Sequence, residues 1–273
     1  MQAITLTQDQ TKALDALLHF LSTDESCFVL AGHAGTGKST LIQYLVEEFK
    51  TREQLLKVVM PKYIAKEWAL TATTNKAAEA LSQASGTEVT TIHNLLSIRV
   101  GSNFKTGENF VYRSTKEPKR KDLIIVVDEC SYIDSKLLKL INESIDNCKV
   151  IFMGDPSQLT PVFSSEVPVF HQGYPSATLS QVMRQNAHSP IQGICTEFRK
   201  TIQEHIGFPK ITLCSEIQHL SKEDFTIALT QEFSRTDWKQ GDSKILAWRN
   251  KTVQQYNSTL FQHLNQRSEF KKG

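Results

Sequence analysis

The stretch that decides the fold is Gly32-His33-Ala34-Gly35-Thr36-Gly37-Lys38-Ser39, which directly follows the apolar run Cys27-Phe28-Val29-Leu30-Ala31. Apolar residues at helical spacing come next, at Leu41, Ile42, Leu45, Val46 and Phe49. A strand, a glycine-rich turn and a helix in this order predict a phosphate-binding loop. Its glycines let successive N–H groups face an anion, and the helix adds its positive dipole end. The alternative is a glycine-rich turn with a chance Lys-Ser; the flanking elements favour a nucleoside triphosphate site.

Each polar residue of this loop has an expected task. Lys38 would reach the β- and γ-phosphates, and the Ser39 hydroxyl would coordinate Mg²⁺. Gln10 stands at capping-box spacing from Thr7, so it either caps a helix or reads an adenine edge with its amide. The candidate nucleotide contacts are Gln10, Gly32, Ala34, Gly35, Thr36, Gly37, Lys38, Ser39 and Thr40.

Composition limits the class of protein. The 273 residues are 40% hydrophobic with a net charge of +2, which suits one large α/β domain, alone or with appendages. No apolar run is long enough to span a membrane, and the first residues lack a signal-peptide layout. Five scattered cysteines without a C-x-x-C pair favour reduced thiols in a cytoplasm. We therefore expect no membrane partner, and any nucleic-acid surface must be local.

The most apolar run, Leu123-Ile124-Ile125-Val126-Val127, ends in Asp128-Glu129. This pattern predicts a central parallel strand with carboxylates at its carboxyl edge, where open α/β sheets bind ligands. Asp128 would hold Mg²⁺, and Glu129 would orient or deprotonate an attacking water. Alone this pair is a weak signal, but together with a phosphate loop it is a strong one.

Two later residues suit the same chemistry. Gln158 lies on a loop after the buried strand at 149–153, where its amide could sense the γ-phosphate. Arg184 follows an apolar turn and could stabilise transition-state charge, with a structural salt bridge as the alternative.

Hydroxyl-rich strand and helix ends form a second group of candidates. Thr73 and Thr74 end a predicted strand before a helix that starts at Asn75, so they mark an anion-receptive site or simply cap that helix. Thr90 or Thr91 caps a short helix that carries His93, and nothing local decides whether this histidine is packed or functional.

Residues 97–122 predict a β-hairpin that leads into the densest basic stretch of the chain. Aromatic residues beside clustered Lys and Arg suit stacking on unpaired bases. A solvated hairpin with a charged linker is at least as good a reading of this segment alone.

Taken together, these motifs resemble superfamily 1B DNA helicases, the branch of the RecD and Dda helicases. The resemblance covers about residues 5–200 and rests on the order of the motifs. They are Gln10 (Q motif), Gly32 to Ser39 (motif I), Thr71 to Lys76 (motif Ia), Thr91-Ile92-His93, Asp128-Glu129-Cys130-Ser131 (DExx box), Gly154 to Val162 (motif III) and Val182-Met183-Arg184-Gln185 (motif IV). Cys130 departs from the commoner Val or Ala.

The resemblance implies a RecA-like P-loop NTPase sheet with an inserted β-hairpin subdomain, ATP and Mg²⁺ as cofactors, and 5′ to 3′ movement. The implied partners are single-stranded DNA, a duplex fork, and replication, repair or recombination proteins in a bacterial cytoplasm, or a host cytoplasm for a phage protein. The implied catalytic residues are Lys38, Asp128, Glu129, Gln158 and, as an arginine finger, Arg184. The implied DNA contacts are Thr73, Thr74, Asn75, Thr91 and His93, with Phe104, Phe110 or Tyr112 as aromatics of a duplex-splitting pin.

The implied domains are 1A at 1–96 and 123–200, the inserted hairpin 1B at 97–122, a connection at 201–240, and the start of a second motor domain, 2A, at 241–273. We find no match to motifs V and VI, so we expect most of 2A to be missing or supplied by a separate chain, and hydrolysis by this chain to be weak. Two rival functions are a small-molecule P-loop kinase, disfavoured by the Gly-Asp-Pro-x-Gln loop, and a nucleic-acid-binding ATP switch without unwinding activity.

Overall fold

The computed structural model describes residues 5–59, 66–102, 109–114, 116–158, 167–183, 189–204, 206–239 and 242–265. The chain divides into two compact units, Met1–Phe208 and Pro209–Gly273. No helix of the described ranges is long and apolar enough to cross a membrane.

A six-stranded parallel sheet organises the first unit, in the order β10-β1-β9-β7-β2-β3. The strands are β1 (Cys27–Gly32), β2 (Glu67–Ala72), β3 (Thr90–Thr91), β4 (Ile98–Ser102), β5 (Asn109–Arg113), β6 (Arg120–Lys121), β7 (Leu123–Asp128), β8 (Ile145–Asp146), β9 (Lys149–Gly154) and β10 (Ser176–Leu179). The helices of this unit are α1 (Gln8–Ser22), α2 (Lys38–Val59), α3 (Asn75–Ser85), α4 (Ile92–Leu95), α5 (Ser135–Ser144) and α6 (Pro190–Glu204).

Helices cover both faces of the sheet. Because side chains alternate along a strand, Phe28 and Leu30 of β1 join the cluster formed with α1 and α2, whereas Val29 joins the cluster formed with α4 and α5. Strands buried on both faces need continuous apolar sequence, which is why β1, β7 and β9 are the most apolar runs of the chain. The predicted parallel α/β sheet is confirmed.

Side-chain caps fix where the helices begin. The Thr7 hydroxyl accepts from the backbone N–H of Gln10, and the Gln10 side chain accepts from that of Thr7, so the predicted capping box is present. The hydroxyls of Thr74 and Thr91 cap α3 and α4 in the same way. These caps set the positions of three helix N-termini that carry candidate site residues.

Two smaller pairings lie outside the main sheet. Strands β4 and β5 form the antiparallel hairpin that the sequence indicated, with Gly101 opposite Phe110 and Arg99 opposite Tyr112. Strands β6 and β8 form a short parallel pair. The limits of the hairpin as a separate subdomain stay a prediction.

The second unit contains the helices α7 (Lys222–Phe233) and α8 (Asn250–Asn265). The rings of Phe225 and Tyr256 meet edge to face with centroids 6.2 Å apart. Trp238 packs on Phe233, with ring centroids 5.1 Å apart.

Candidate functional site

The phosphate-loop candidate joins the end of β1 to the start of α2, as its sequence predicts. The Lys38 ammonium points back into the loop and donates to the carbonyl oxygens of Gly32 at 2.6 Å and His33 at 3.1 Å. Gly35 and Gly37 both have φ near +82°, a conformation that strains other residues. The loop therefore has the glycine-dependent backbone that phosphate binding requires.

Three carboxylates surround the lysine, because β1, β9 and β7 are neighbours and end at the same edge of the sheet. Burial lowers the pKa of Lys38, while Asp128, Asp155 and Glu129 oppose this shift. Burial also raises the pKa values of Asp128 and Glu129, and the Asp128 charge raises that of Glu129 further. The edge of the sheet is thus a compact cluster of charged groups.

The backbone of Glu129 is left-handed, with φ 56° and ψ 44°. For a residue other than glycine this costs on the order of 1–3 kcal/mol and is a recurrent feature of functional sites. Its N–H donates to Asp128 Oδ1 at 2.9 Å, and its carbonyl accepts from the Thr73 hydroxyl at 3.1 Å and from the Tyr132 N–H at 3.2 Å. Bonds on both sides of the residue hold it in this conformation.

Asp155 links the phosphate loop to the loop that carries Gln158. Its Oδ1 accepts from the Ser157 N–H at 2.9 Å and lies 3.1 Å from His33 Nδ1. The Ser131 hydroxyl lies 3.3 Å from the Asp155 carbonyl and 3.5 Å from Gln158 Oε1. The structure therefore brings Gln158 beside the DExx segment. Sequence reasoning missed His33, for which the one available signal was an imidazole inside a phosphate loop.

Gln10 uses both ends of its amide within the protein. Its Oε1 accepts from the Thr7 N–H at 3.0 Å, and its Nε2 donates to the Thr36 carbonyl at 3.2 Å. The capping role is confirmed, and the amide also braces the phosphate loop. The adenine contact stays a prediction that would require this amide to change partners.

The segment after β10 is tied to the same loop. Asp9 accepts hydrogen bonds from the Ser180 hydroxyl and from the backbone N–H groups of Ser180 and Gln181. The Met183 N–H donates to the Gly35 carbonyl at 2.8 Å. Arg184, the predicted arginine finger, and Phe104, a predicted pin aromatic, lie outside the described residues.

The oxygen donors at this edge fit a magnesium ion. Mg²⁺ is usually held by one or two protein oxygens plus phosphate and water, rather than by a complete protein cage. Among the residues that the structure describes, no three His, Cys, Asp or Glu side chains form such a cage. The Ser39 hydroxyl at the start of α2 and the half-buried Asp128 carboxylate at the end of β7 are oxygen donors of this kind.

The candidate DNA contacts lie at the N-termini of α3 and α4. Thr74 and Asn75 are exposed, and Asn75 and Thr91 line one groove of about 390 Å³. His93 is half-buried, and this burial lowers its pKa against the opposing charge of Asp134. Thr73 differs from these neighbours because its hydroxyl is turned inward to Glu129, so its placement does not suit the direct DNA contact expected for it.

An aromatic face lies on the hairpin. Phe110 and Tyr112 are 46% and 43% exposed, and their ring centroids are 5.7 Å apart. The Phe110 ring covers Gly101, where a Cβ atom would meet the ring at 2.7 Å. Arg99 lies on the same face, opposite Tyr112, so two rings and a guanidinium form a surface of the kind that stacks on bases.

Part of the basic stretch has a structural role instead. Arg113 Nε donates to the Leu96 carbonyl at 2.9 Å, and Arg120 Nε donates to the Leu95 carbonyl at 2.8 Å. Lys121 pairs with Asp146 at 2.9 Å. For these three residues the reading as a charged linker fits the structure better than direct phosphate contact.

Comparison with known proteins agrees with the phosphate loop and the acidic sheet edge described above. A family model described as "AAA domain" matches residues 5–206. The ATP-dependent DNA helicase dda of Enterobacteria phage T4 is 27% identical over 93% of this chain and 56% of its own length. The ATP-dependent RecD2 DNA helicase of Deinococcus radiodurans is 31% identical over 68% of this chain and 23% of its own.

Among solved structures, Bacteroides Pif1 bound to ssDNA matches with a TM-score of 0.53 at 19% identity, over 94% of this chain and 56% of that one. At this identity the likeness concerns the fold. The chain thus spans about half the length of the dda helicase and of the Pif1 structure, and 23% of RecD2. Within that span the resemblance to the N-terminal motor portion of superfamily 1B helicases is confirmed.

Proposed function

Because the chain belongs to the AAA domain family, whose model matches residues 5–206, we propose that it is the N-terminal motor portion of an ATP-dependent DNA helicase that binds ATP, Mg²⁺ and single-stranded DNA. The observation that carries this proposal is the cluster of Lys38 with Asp128, Glu129 and Asp155 at the carboxyl edge of the sheet. The proposal includes movement from 5′ to 3′, the direction that the resemblance to superfamily 1B implies.

In this proposal the loop at 32–39 receives the triphosphate. Lys38 exchanges its bonds to the Gly32 and His33 carbonyls for bonds to the β- and γ-phosphates. The exchange is favourable because a charged phosphate oxygen is a stronger acceptor for an ammonium than a neutral carbonyl oxygen is. Ser39 and Asp128 would hold Mg²⁺, which would supply positive charge to the phosphate oxygens.

Glu129 acts as the general base. Its pKa, which burial and the Asp128 charge raise, makes the carboxylate a stronger proton acceptor. A water that gives its proton to Glu129 attacks the γ-phosphorus, and the bond to the bridging oxygen breaks to release ADP. Gln158 senses the γ-phosphate, and Arg184 supplies positive charge to the transition state.

Single-stranded DNA crosses the N-termini of α3 and α4. Asn75 and Thr91 line a shared groove there, and helix N-termini attract phosphate. The neutral form of His93, favoured by its lowered pKa, suits hydrogen bonding or stacking better than ion pairing. The duplex fork meets the hairpin at Phe110 and Tyr112.

Domain assignments follow from the same proposal. Residues 1–96 and 123–200 form domain 1A, residues 97–122 form the pin domain 1B, residues 201–240 connect, and residues 241–273 begin domain 2A. Cooperation with replication or recombination proteins, or with a separate chain that supplies 2A, belongs to this proposal too, as does a cytoplasmic location.

The test of nucleotide binding uses a fluorescent ATP analogue with Mg²⁺. We expect the wild-type chain to bind it and Lys38→Ala to weaken binding at least tenfold, since a charge-assisted phosphate contact is lost. Equal affinity of the wild type and Lys38→Ala for the analogue would contradict the assignment of the loop at 32–39 as the nucleotide site.

The test of the hairpin uses an oligonucleotide with a 5′ overhang. Phe110→Ala should weaken binding to the single strand severalfold, since one stacking platform contributes about 1–3 kcal/mol. Val100→Ala is the matched control, because Val100 is 63% exposed but lies on the other face of the hairpin. ATP binding without any binding of DNA would favour the small-molecule kinase instead, whereas binding of both without strand separation would favour the nucleic-acid-binding switch.

A further inference from the structure

Thr73 occupies the junction between the catalytic carboxylates and the candidate DNA surface. Ala72 and Asp128 are the last paired residues of β2 and β7. One residue beyond them, the Thr73 N–H donates to the Asp128 carbonyl at 3.2 Å, and its hydroxyl donates to the Glu129 carbonyl at 3.1 Å. Thr73 is only 8% exposed. It therefore continues the pairing of the two strands with both its backbone and its side chain.

Glu129 depends on such bonds for its orientation. Its left-handed backbone is intrinsically unfavourable, so surrounding contacts must hold it. Those contacts are Asp128 Oδ1 on its N–H and the Thr73 hydroxyl and Tyr132 N–H on its carbonyl. Of these three partners, Asp128 and Tyr132 are near Glu129 in sequence, whereas Thr73 follows the neighbouring strand β2.

The residues that follow Thr73 in the chain belong to the candidate DNA surface. The next residue, Thr74, caps α3 by accepting from the Ala77 N–H at 3.2 Å, and α3 starts at Asn75. A strand of DNA that pulls on the N-terminus of α3 therefore acts within two residues of the bond to Glu129. All these residues lie in the first unit of the chain.

We propose that Thr73 is a positioning residue that couples single-stranded DNA at the N-terminus of α3 to the orientation of Glu129. The inference rests on the proposed function, because it assumes DNA at α3 and nucleotide at the phosphate loop. It replaces the direct DNA contact that the sequence indicated for this residue.

The chain offers a matched control in the same pair of strands. Two residues earlier, the Thr71 hydroxyl donates to the Val126 carbonyl at 2.7 Å and Thr71 is fully buried. Thr71→Val and Thr73→Val thus remove the same kind of bond between the same strands. Only the second bond reaches Glu129.

The experiment measures the Kd for a labelled single-stranded oligonucleotide by anisotropy, with and without Mg·ADP and aluminium fluoride. In the wild-type chain we expect nucleotide to change this Kd by about fivefold or more, the usual lower range of coupling between sites. Thr73→Val should reduce the change to less than about twofold while leaving the nucleotide-free Kd nearly unchanged. Thr71→Val and the conservative Thr73→Ser should keep the wild-type response.

Steady-state hydrolysis gives a second readout. Thr73→Val should lower kcat in the presence of DNA about tenfold with little change in the KM for ATP, because binding is kept and orientation is lost. Thr71→Val should lose a similar amount of thermal stability without this loss of kcat.

Three results would overturn the inference: full coupling in Thr73→Val, equal loss in Thr71→Val, or a wild-type Kd for DNA that does not respond to nucleotide. Failure of the proposed function itself looks different, since the wild-type chain would then bind no nucleotide or no single-stranded DNA at all.

Discussion

Substitution of Gly154 by alanine should destabilise the edge of the sheet that carries the site. A Cβ atom there would lie 2.6 Å from Cys130 Sγ, against the 3.4 Å at which ordinary contacts begin. Cys130 is completely buried and Gly154 is buried, so the thiol cannot swing into solvent. Overpacking of this kind costs about 1–3 kcal/mol, and the rigid surroundings favour the upper half of that range.

The assay is urea denaturation followed by circular dichroism, supported by the melting temperature. A loss of about 2–3 kcal/mol corresponds to a fall in Tm of roughly 4–12 °C for a domain of this size. Hydrolysis should fall as well, because Cys130 follows Glu129 directly and Ser131 Oγ would lie 3.3 Å from the new Cβ.

Two further variants decide whether the thiol is the cause. Cys130→Ala in the Gly154→Ala background removes the clashing atom, so the double variant should be more stable than the sum of the single effects by about 1 kcal/mol or more. Gly193→Ala is the matched control, since no atom lies within 4 Å of its Cβ position in α6, and alanine there should stabilise by about 0.5–1 kcal/mol. A Gly154→Ala variant as stable as Gly193→Ala, or no recovery in the double variant, would refute the reasoning.

Three other substitutions test the site and its support. Glu129→Gln should raise Tm at neutral pH, because burial and Asp128 raise the folded-state pKa of Glu129 and so make its charged form destabilising. This gain in Tm should shrink as pH falls through the raised pKa, since Glu129 then becomes neutral in the wild type as well. A gain that stays constant with pH would contradict the prediction. Gln10→Ala should weaken ATP-analogue binding severalfold through its lost bond to the loop, whereas Thr7→Ala should cost a comparable ~1 kcal/mol of stability without that weakening. Lys149→Met should lower the free energy of unfolding by about 2–3 kcal/mol, because the ammonium satisfies three carbonyls at the opposite edge of the sheet, and ATP-analogue binding should not change.

The elements that the sequence predicted well are those set by neighbouring residues. The phosphate loop follows from glycines between an apolar run and a helical pattern, and Asp128-Glu129 follows from the end of another apolar run. The capping box at Thr7 is equally local, since its two bonds span three residues. The geometry of such short motifs is set by residues that are close together in the sequence, so it can be predicted from the sequence.

Contacts between distant residues were beyond such patterns. His33 meets Asp155 across 122 positions, and Gln10 meets the Thr36 carbonyl across 26. The left-handed conformation of Glu129 has no sequence signal, because glutamate rarely adopts it. Thr73 shows the consequence: a hydroxyl at a strand end suggested a surface contact, but the neighbouring strand turned it inward.

Contacts with distant residues also decide the role of the basic stretch and the strands at the edges of the sheet. The clustered Lys and Arg suggested a surface for unpaired bases, yet Arg113 and Arg120 donate to carbonyl oxygens at the end of α4. The short edge strands β3 and β10 were not expected, because four or fewer residues give too little alternation to identify a strand.

The most direct test of the account measures phosphate release from Mg·ATP with and without single-stranded DNA, for the wild-type chain and for Glu129→Gln. We predict that DNA accelerates hydrolysis by the wild type, and that the variant binds the nucleotide normally but hydrolyses it at least about 100-fold more slowly, as loss of a general base requires. Hydrolysis by Glu129→Gln at the wild-type rate, or a wild-type rate that DNA leaves unchanged, would contradict the account.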